Sequence, residues 1–163
     1  LRIGFRATPR GTELHELFQQ GCLKARLLRT RKSRVAEAVL INTAGGLTDE
    51  DSLSCDIRWG SDTLAVVTSQ AAERIYRCRQ RPAAVRVSLA AAHGSVACWL
   101  PQETILFDGA ALARRTEARL AGDAALLMCE MLTLGRAAMG EEVTRLNAGI
   151  DISAYNDVLE TIL

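Results

Sequence analysis

Leu53, Cys55, Ile57 and Trp59 alternate with Ser54, Asp56 and Arg58, so an apolar side chain falls on one face at every second position. A helix repeats its apolar stripe every three to four residues and cannot use this register, which therefore predicts a strand buried on one face. The pattern returns at Val85, Val87, Leu89 and Ala91, which alternate with Arg86 and Ser88 until His93-Gly94. An apolar run then restarts over Ser95 to Leu100, as in a hairpin return and a meander. Between the two alternations, Thr63 to Ser69 is short and rich in Val and Thr, and Gly60-Ser61-Asp62 precedes it. It predicts a strand buried on both faces. Gly45-Gly46, Gly60, Gly94, Asp108-Gly109 and Gly122-Asp123 punctuate the chain at the spacing of an all-β stack.

From Ala110 onward two signals conflict. Ala, Leu, Arg and Glu favour helix, but Leu112, Arg119 and Leu120 make no continuous helical stripe. Ala125, Leu127, Cys129, Met131 and Thr133 can equally lie on one face of a buried strand. The residues alone leave this segment open. At 163 residues with 48% hydrophobic content, the chain can bury one sizeable core. No repeat, low-complexity tract or Pro-rich linker divides it.

A formal charge of +1 gives no whole-chain field that would gather nucleic acid or an anionic membrane. No apolar stretch reaches the roughly 18 residues of a membrane span, and Leu1 to Arg10 carries three arginines and no apolar leader core, so a soluble, unexported protein is expected. Cys22, Cys55, Cys78, Cys98 and Cys129 are odd in number and widely spaced, unlike a disulfide framework, and are expected to be small core residues in a reducing compartment.

The candidate chemistry is sparse. His15 and His93 are the only histidines, and neither has a second soft ligand at metal-site spacing. His15 is expected on the solvated surface and His93 in a loop. Ser69 and Cys78 lack a nucleophile signature, so catalysis is not expected; an enzyme would need Cys78 and His93 to converge. Asp49-Glu50-Asp51 after Gly45-Gly46 is either a solvated turn or a weak, exchangeable cation loop. Glu103 follows Pro101 in a strand, bulge, strand sequence and either bonds backbone or lines a passage. Glu130 lies in the apolar run Leu126 to Leu134, where an ionised carboxylate needs a partner such as Arg136, a wet cavity or an edge.

Gly45-Gly46-Leu47 with Asp51, then Thr68-Ser69-Gln70-Ala71-Ala72 with Ile75-Tyr76-Arg77, then Trp99 to Ala110, resemble successive motifs of the UreD/UreH family of urease accessory proteins. Leu120 to Ala124, Glu130 to Arg136 and Gly140-Glu141 continue the order, so the likeness covers about Gly11 to Glu142. It implies a mainly β protein of stacked sheets with a right-handed β-helix-like course and few short helices, and therefore strands across Ala110 to Leu134. It also implies a non-catalytic, cytoplasmic scaffold. Its partners would be apo-urease, a helical UreF-type accessory protein and a UreG-type GTPase, with neither nucleic acid nor membrane among them.

No Gly-x-x-x-x-Gly-Lys-Ser/Thr motif occurs here, consistent with leaving GTP chemistry to the GTPase. No cofactor would be held tightly. Nickel would transit an internal polar passage, for which Asp51, Glu103, Asp108 and Glu130 are the candidate carboxylates. The sequence departs from the family pattern in having Asp49-Glu50 where a small pair is usual, in lacking the family's C-terminal half, and in its ending. Residues 1–145 are therefore read as a UreD-like β domain and 146–163 as an atypical tail. The alternative is a truncated β-domain that only binds protein partners, with no nickel-transfer activity.

Overall fold

The computed structural model describes residues 1–28, 34–136 and 139–156, and among them the regular elements are all strands. From Ser52 the chain winds repeatedly around three faces. Strands β5 (Ser52–Trp59), β8 (Ala83–Ala91), β11 (Ala110–Leu120) and β14 (Leu146–Asn156) stack in parallel on the first face. Strands β6 (Leu64–Gln70), β9 (Val96–Leu100) and β12 (Ala125–Met128) do so on the second, and β7 (Glu73–Ile75), β10 (Thr104–Leu106) and β13 (Leu132–Leu134) on the third. Each circuit visits first, second and third face in turn, which makes the molecule a β-solenoid.

The N-terminal strands cap one end. β1 (Arg2–Thr8) pairs parallel to β5 and antiparallel to β2 (Gly11–Phe18), with a register shift between Gly4 and Phe5. β4 (Ala36–Asn42) pairs parallel to β6 and antiparallel to β3 (Leu23–Leu28).

The period-2 pattern forms the core because equivalent positions of successive coils stack into rows, one strand spacing of about 4.8 Å apart. Ile3, Ile57, Leu89 and Ala118 make one buried row on the first face. On the third face Leu47, Ile75 and Leu106 make another, continued by Leu134. Trp59 fills the interior near the capped end, its indole Nε1 donating to the Ala65 carbonyl at 2.9 Å.

Three local expectations are corrected. Ser95 to Leu100 is no hairpin return: β9 leaves the first face altogether and joins the second, parallel to β6 and β12. The turn at Gly94, whose φ of +68° suits a residue without a Cβ, is a solenoid corner, and sequence alternation looks the same on either side of a corner or a hairpin. β6 buries Ala65 and Val67 but leaves Leu64 exposed, so it has one core face rather than two. In the open segment, strands form as the resemblance implied, yet Ala125, Leu127, Cys129 and Met131 face outward while Leu126, Met128 and Glu130 turn inward.

Of the five cysteines only Cys55 is buried, where loss of solvation pushes its thiol pKa up to about 12, and Cys129 is exposed. A small side chain in an apolar context fits a partly covered strand position as well as a core one. Residues 146–156, set apart in the sequence as part of a tail, pair with β11 along its whole length. Residues 157–163 lie outside the described ones.

Candidate functional site

On the first face, two adjacent core rows turn polar in the third coil. Leu53 and Val85 stack in successive coils, and the next residue in their row is Arg114; in the adjacent row Cys55 and Val87 are followed by Thr116. Both replacements face a third polar residue, Glu130, which the chain carries inward just after β12. Glu130 Oε1 accepts hydrogen bonds from Trp99 Nε1 at 2.9 Å and from Thr116 Oγ1 at 3.2 Å, and Oε2 pairs with Arg114 Nη1 at 3.4 Å. The Arg114 and Glu130 side chains are only 9% and 8% exposed. Burying one charge alone would cost several kcal/mol, so each requires the other, and the two neutral donors complete the carboxylate's solvation. The partner of Glu130 is thus Arg114 rather than Arg136, which instead bonds Glu141 at 2.8 Å.

Trp99 and Arg114 also form part of the wall of a cavity of about 170 Å³ that reaches the corner between the second and third faces. Glu73, at the start of β7, presents a carboxylate there, held by Asn42 Nδ2 at 3.0 and 3.2 Å from its two oxygens and by the Arg74 N–H at 3.2 Å. Burial raises its pKa above the ordinary glutamate value, opposed by the Asn42 hydrogen bond, the Arg74 N–H and the positive charge of Arg114. Ser69, Gln70 and Gln102 add neutral polar groups to the lining, and the Gln102 N–H donates to Ser69 Oγ at 2.9 Å. The sequence motifs that lie far apart in the chain, Thr68 to Ala72, Trp99 to Ala110 and the one opening at Glu130, therefore meet at this corner.

The four carboxylates singled out in the sequence do not share one place. Glu130 alone is in the interior, and it stands behind the cavity wall rather than on it. Asp51 is exposed and closes its own turn, accepting the Thr48 N–H at 2.9 Å. The half-buried Glu103 joins the ladder through its backbone carbonyl, which accepts the Glu73 N–H at 2.9 Å. Asp108 binds Thr144 Oγ1 and N–H, both at 2.9 Å, the Arg145 N–H at 3.1 Å and the Arg77 guanidinium at 2.7 Å. The Thr144 bonds foremost, then the Arg145 N–H and the Arg77 charge, hold its pKa down at about 2.

Gly45-Gly46 has a backbone reason of its own: at Gly46, φ is +153°, and a Cβ would strike the Tyr76 ring and stand 2.9 Å from the Arg74 carbonyl. Among the described residues no three His, Cys, Asp or Glu side chains come together as a metal site. Cys78 and His93 stay apart, Cys78 bonding the Ala111 carbonyl and the exposed His93 bonding Asp123. Glu73, Asn42, Arg114 and Thr116 escaped the sequence reading. A signal for two of them was present, because Leu112, Arg114, Thr116 and Ala118 alternate with Ala113, Arg115 and Glu117 and so place an arginine in a core register.

No helix among the described residues is long and apolar enough to cross a membrane, a statement that does not extend to strands. The sequence model of the UreD urease accessory protein family matches residues 1–157. A urease accessory protein UreD of Dinoroseobacter shibae is 49% identical over 134 residues, 82% of this chain and 47% of the relative. The protein of the same name from Agrobacterium fabrum is 46% identical over 143 residues, 88% of this chain and 50% of its own length. The chain spans about half the length of these curated relatives. A solenoid whose family motifs converge on one polar corner, matched along nearly its full length by that family's sequence model, belongs to the UreD urease accessory protein family.

Proposed function

We propose that this chain serves urease maturation as a non-catalytic scaffold, and that nickel bound for apo-urease passes its polar cavity at Glu73, with the buried Glu130 holding Trp99 and Arg114 in place in the cavity wall. The supporting observation is the break in the aliphatic rows. A stacked β core gains nothing from burying Arg114, Thr116 and Glu130 where Leu and Val would pack, since buried ion pairs are at best weakly stabilising. The cavity wall offers one carboxylate together with hydroxyl and amide oxygens, and its one sulfur, the Cys55 thiol, is kept protonated by burial, which pushes its pKa up to about 12. Oxygen donors of this kind hold a divalent first-row metal modestly and release it, whereas a His or Cys cage would retain it. The chain acts in the cytoplasm with a UreF-type helical protein and a UreG-type GTPase docked on urease. In this reading Asp51, Glu103 and Asp108 lie outside the cavity lining.

The experiment is co-expression with apo-urease and those accessory proteins, a pull-down on this chain, and metal analysis of the recovered urease. Glu130→Gln and Glu73→Gln are each expected to lower nickel occupancy while the complex still forms. Unchanged nickel content in the doubly substituted complex would remove the interior from the route. The second reading, a β-domain that binds partners and passes no nickel, draws on the chain's matching only about half of each relative. It predicts recovery of the complex with empty urease even for the unsubstituted chain.

A further inference from the structure

At the corner between the third and first faces, the segment joining β7 to β8 carries Arg77, Arg79 and Arg81, and Arg145 faces them from the approach to β14. They border an open cleft of about 560 Å³ with no carboxylate in its lining. Arg77 is engaged by Asp108 at 2.7 Å. Arg81 has only a loose, exposed contact with Glu50 at 3.7 Å. The guanidiniums of Arg79 and Arg145 have no carboxylate within ion-pair distance among the described residues. With Arg77 compensated, Arg79, Arg145 and the loosely paired Arg81 leave the cleft positive, an arrangement that a bound anion would relieve.

The cleft is built rather than loose. Asp49 Oδ1 accepts the N–H groups of both Arg79 and Gln80. Thr48 Oγ1 donates to the Arg77 carbonyl at 3.0 Å, the Cys78 N–H donates to the Gly109 carbonyl at 3.0 Å, and the Gly109 N–H donates to the Arg145 carbonyl at 2.8 Å. Both walls are therefore tied to one frame before anything binds, which lowers the ordering cost of association.

We infer that this cleft docks an acidic polypeptide segment of a partner protein. Arginine forks match carboxylate geometry, and Arg79, Arg145 and the loosely held Arg81 together suit a cluster of Asp and Glu. Two further features favour a polypeptide over a polyphosphate chain. Leu146 and Asn147, which close the cleft, begin β14, the last of the described strands in its sheet, whose outer edge offers backbone groups with which an extended peptide can pair. Asp49, Glu50 and Asp108 stand around this corner, so a polyanion running beyond the cleft meets repulsion, while a short acidic segment does not. This inference does not depend on the nickel route.

The test is anisotropy of a fluorescein-labelled alternating Glu–Thr peptide titrated with the full chain. Binding that weakens with added salt is expected. The Arg79→Ser/Arg145→Ser variant should lose about tenfold in affinity or more, as expected for removing charge-assisted contacts. Arg6→Ser, on the β1 surface, should bind like the unsubstituted chain. Hydrogen exchange of the unsubstituted chain should show peptide-dependent protection at residues 77–82 and 146–147, a readout independent of how any variant folds. No binding, equal loss in the Arg6→Ser control, protection elsewhere, or capture of inorganic polyphosphate in preference to the peptide would each overturn the inference.

Discussion

Among single residues, Glu73 carries the clearest energetic signature. Its folded pKa is raised by burial, so the native state holds the proton more tightly than the unfolded chain does. Below the ordinary glutamate pKa both states are protonated and there is no penalty; as pH rises through the window up to the raised value, stability is lost, and the cost persists at neutral pH. Glu73→Gln, which keeps an oxygen to accept from Asn42, is therefore expected to melt above the unsubstituted chain at pH 7 and together with it at pH 4. A gain of about 1 kcal/mol would appear as about 2–4 °C. Asp108 has the opposite sign. With a folded pKa of about 2, its stabilising effect is complete above the ordinary aspartate range and is lost as pH falls through about 2. Asp108→Asn should lower the melting temperature at neutral pH and flatten its dependence on acid, measured by thermal melts from pH 7 to pH 2. Glu130 was legible as a buried charge because its neighbours in sequence are apolar. Glu73 was not, since it lies between Ala72 and Arg74 and is enclosed only by coil-to-coil stacking.

For the strands, legibility ended at the corners. Alternation identified β5 and β8 and the side each turns to the core, because period 2 is a property of one strand. Which strand pairs with which is decided by where a turn sends the chain, and His93-Gly94 is compatible with a hairpin or a change of face. The Ala-rich β11 and β12 carry helix-forming residues whose strand state comes from the ladder beneath them, a tertiary effect that propensity does not contain. The same stacking sets what a side chain contributes. Leu106 is enclosed between Ile75 and Leu134 in its row, whereas no described strand stacks beyond Leu134, which is 59% exposed. Leu106→Ala is expected to cost about 2–5 kcal/mol and Leu134→Ala less than about 1 kcal/mol, a contrast that urea denaturation would measure. Equal costs would mean that the coils are not stabilised row by row.

At the scale of the whole molecule, the two ends of the solenoid are unequal. The first end is closed by β1, β2 and β3, with Ile3, Phe5, Leu23 and Ala25 buried under or within them. Among the described residues the other end presents β12, β13 and β14 as the last strand of each sheet, and it exposes Leu127, Leu132, Leu134, Leu146, Ile152 and Tyr155. Unpaired strand edges beside exposed aliphatic side chains template further pairing. Purified alone, the chain is expected to associate with rising concentration through this end. Leu127→Lys together with Leu134→Lys should suppress that association, because edge charges oppose strand pairing, while the melting temperature of the dilute chain changes little, since both side chains are already more than half exposed. Light scattering across a concentration series decides the matter. Association unaffected by the two lysines would place the cohesive surface elsewhere, with the outer face of the first sheet the next to examine, where Arg86, Arg115 and Asp151 adjoin.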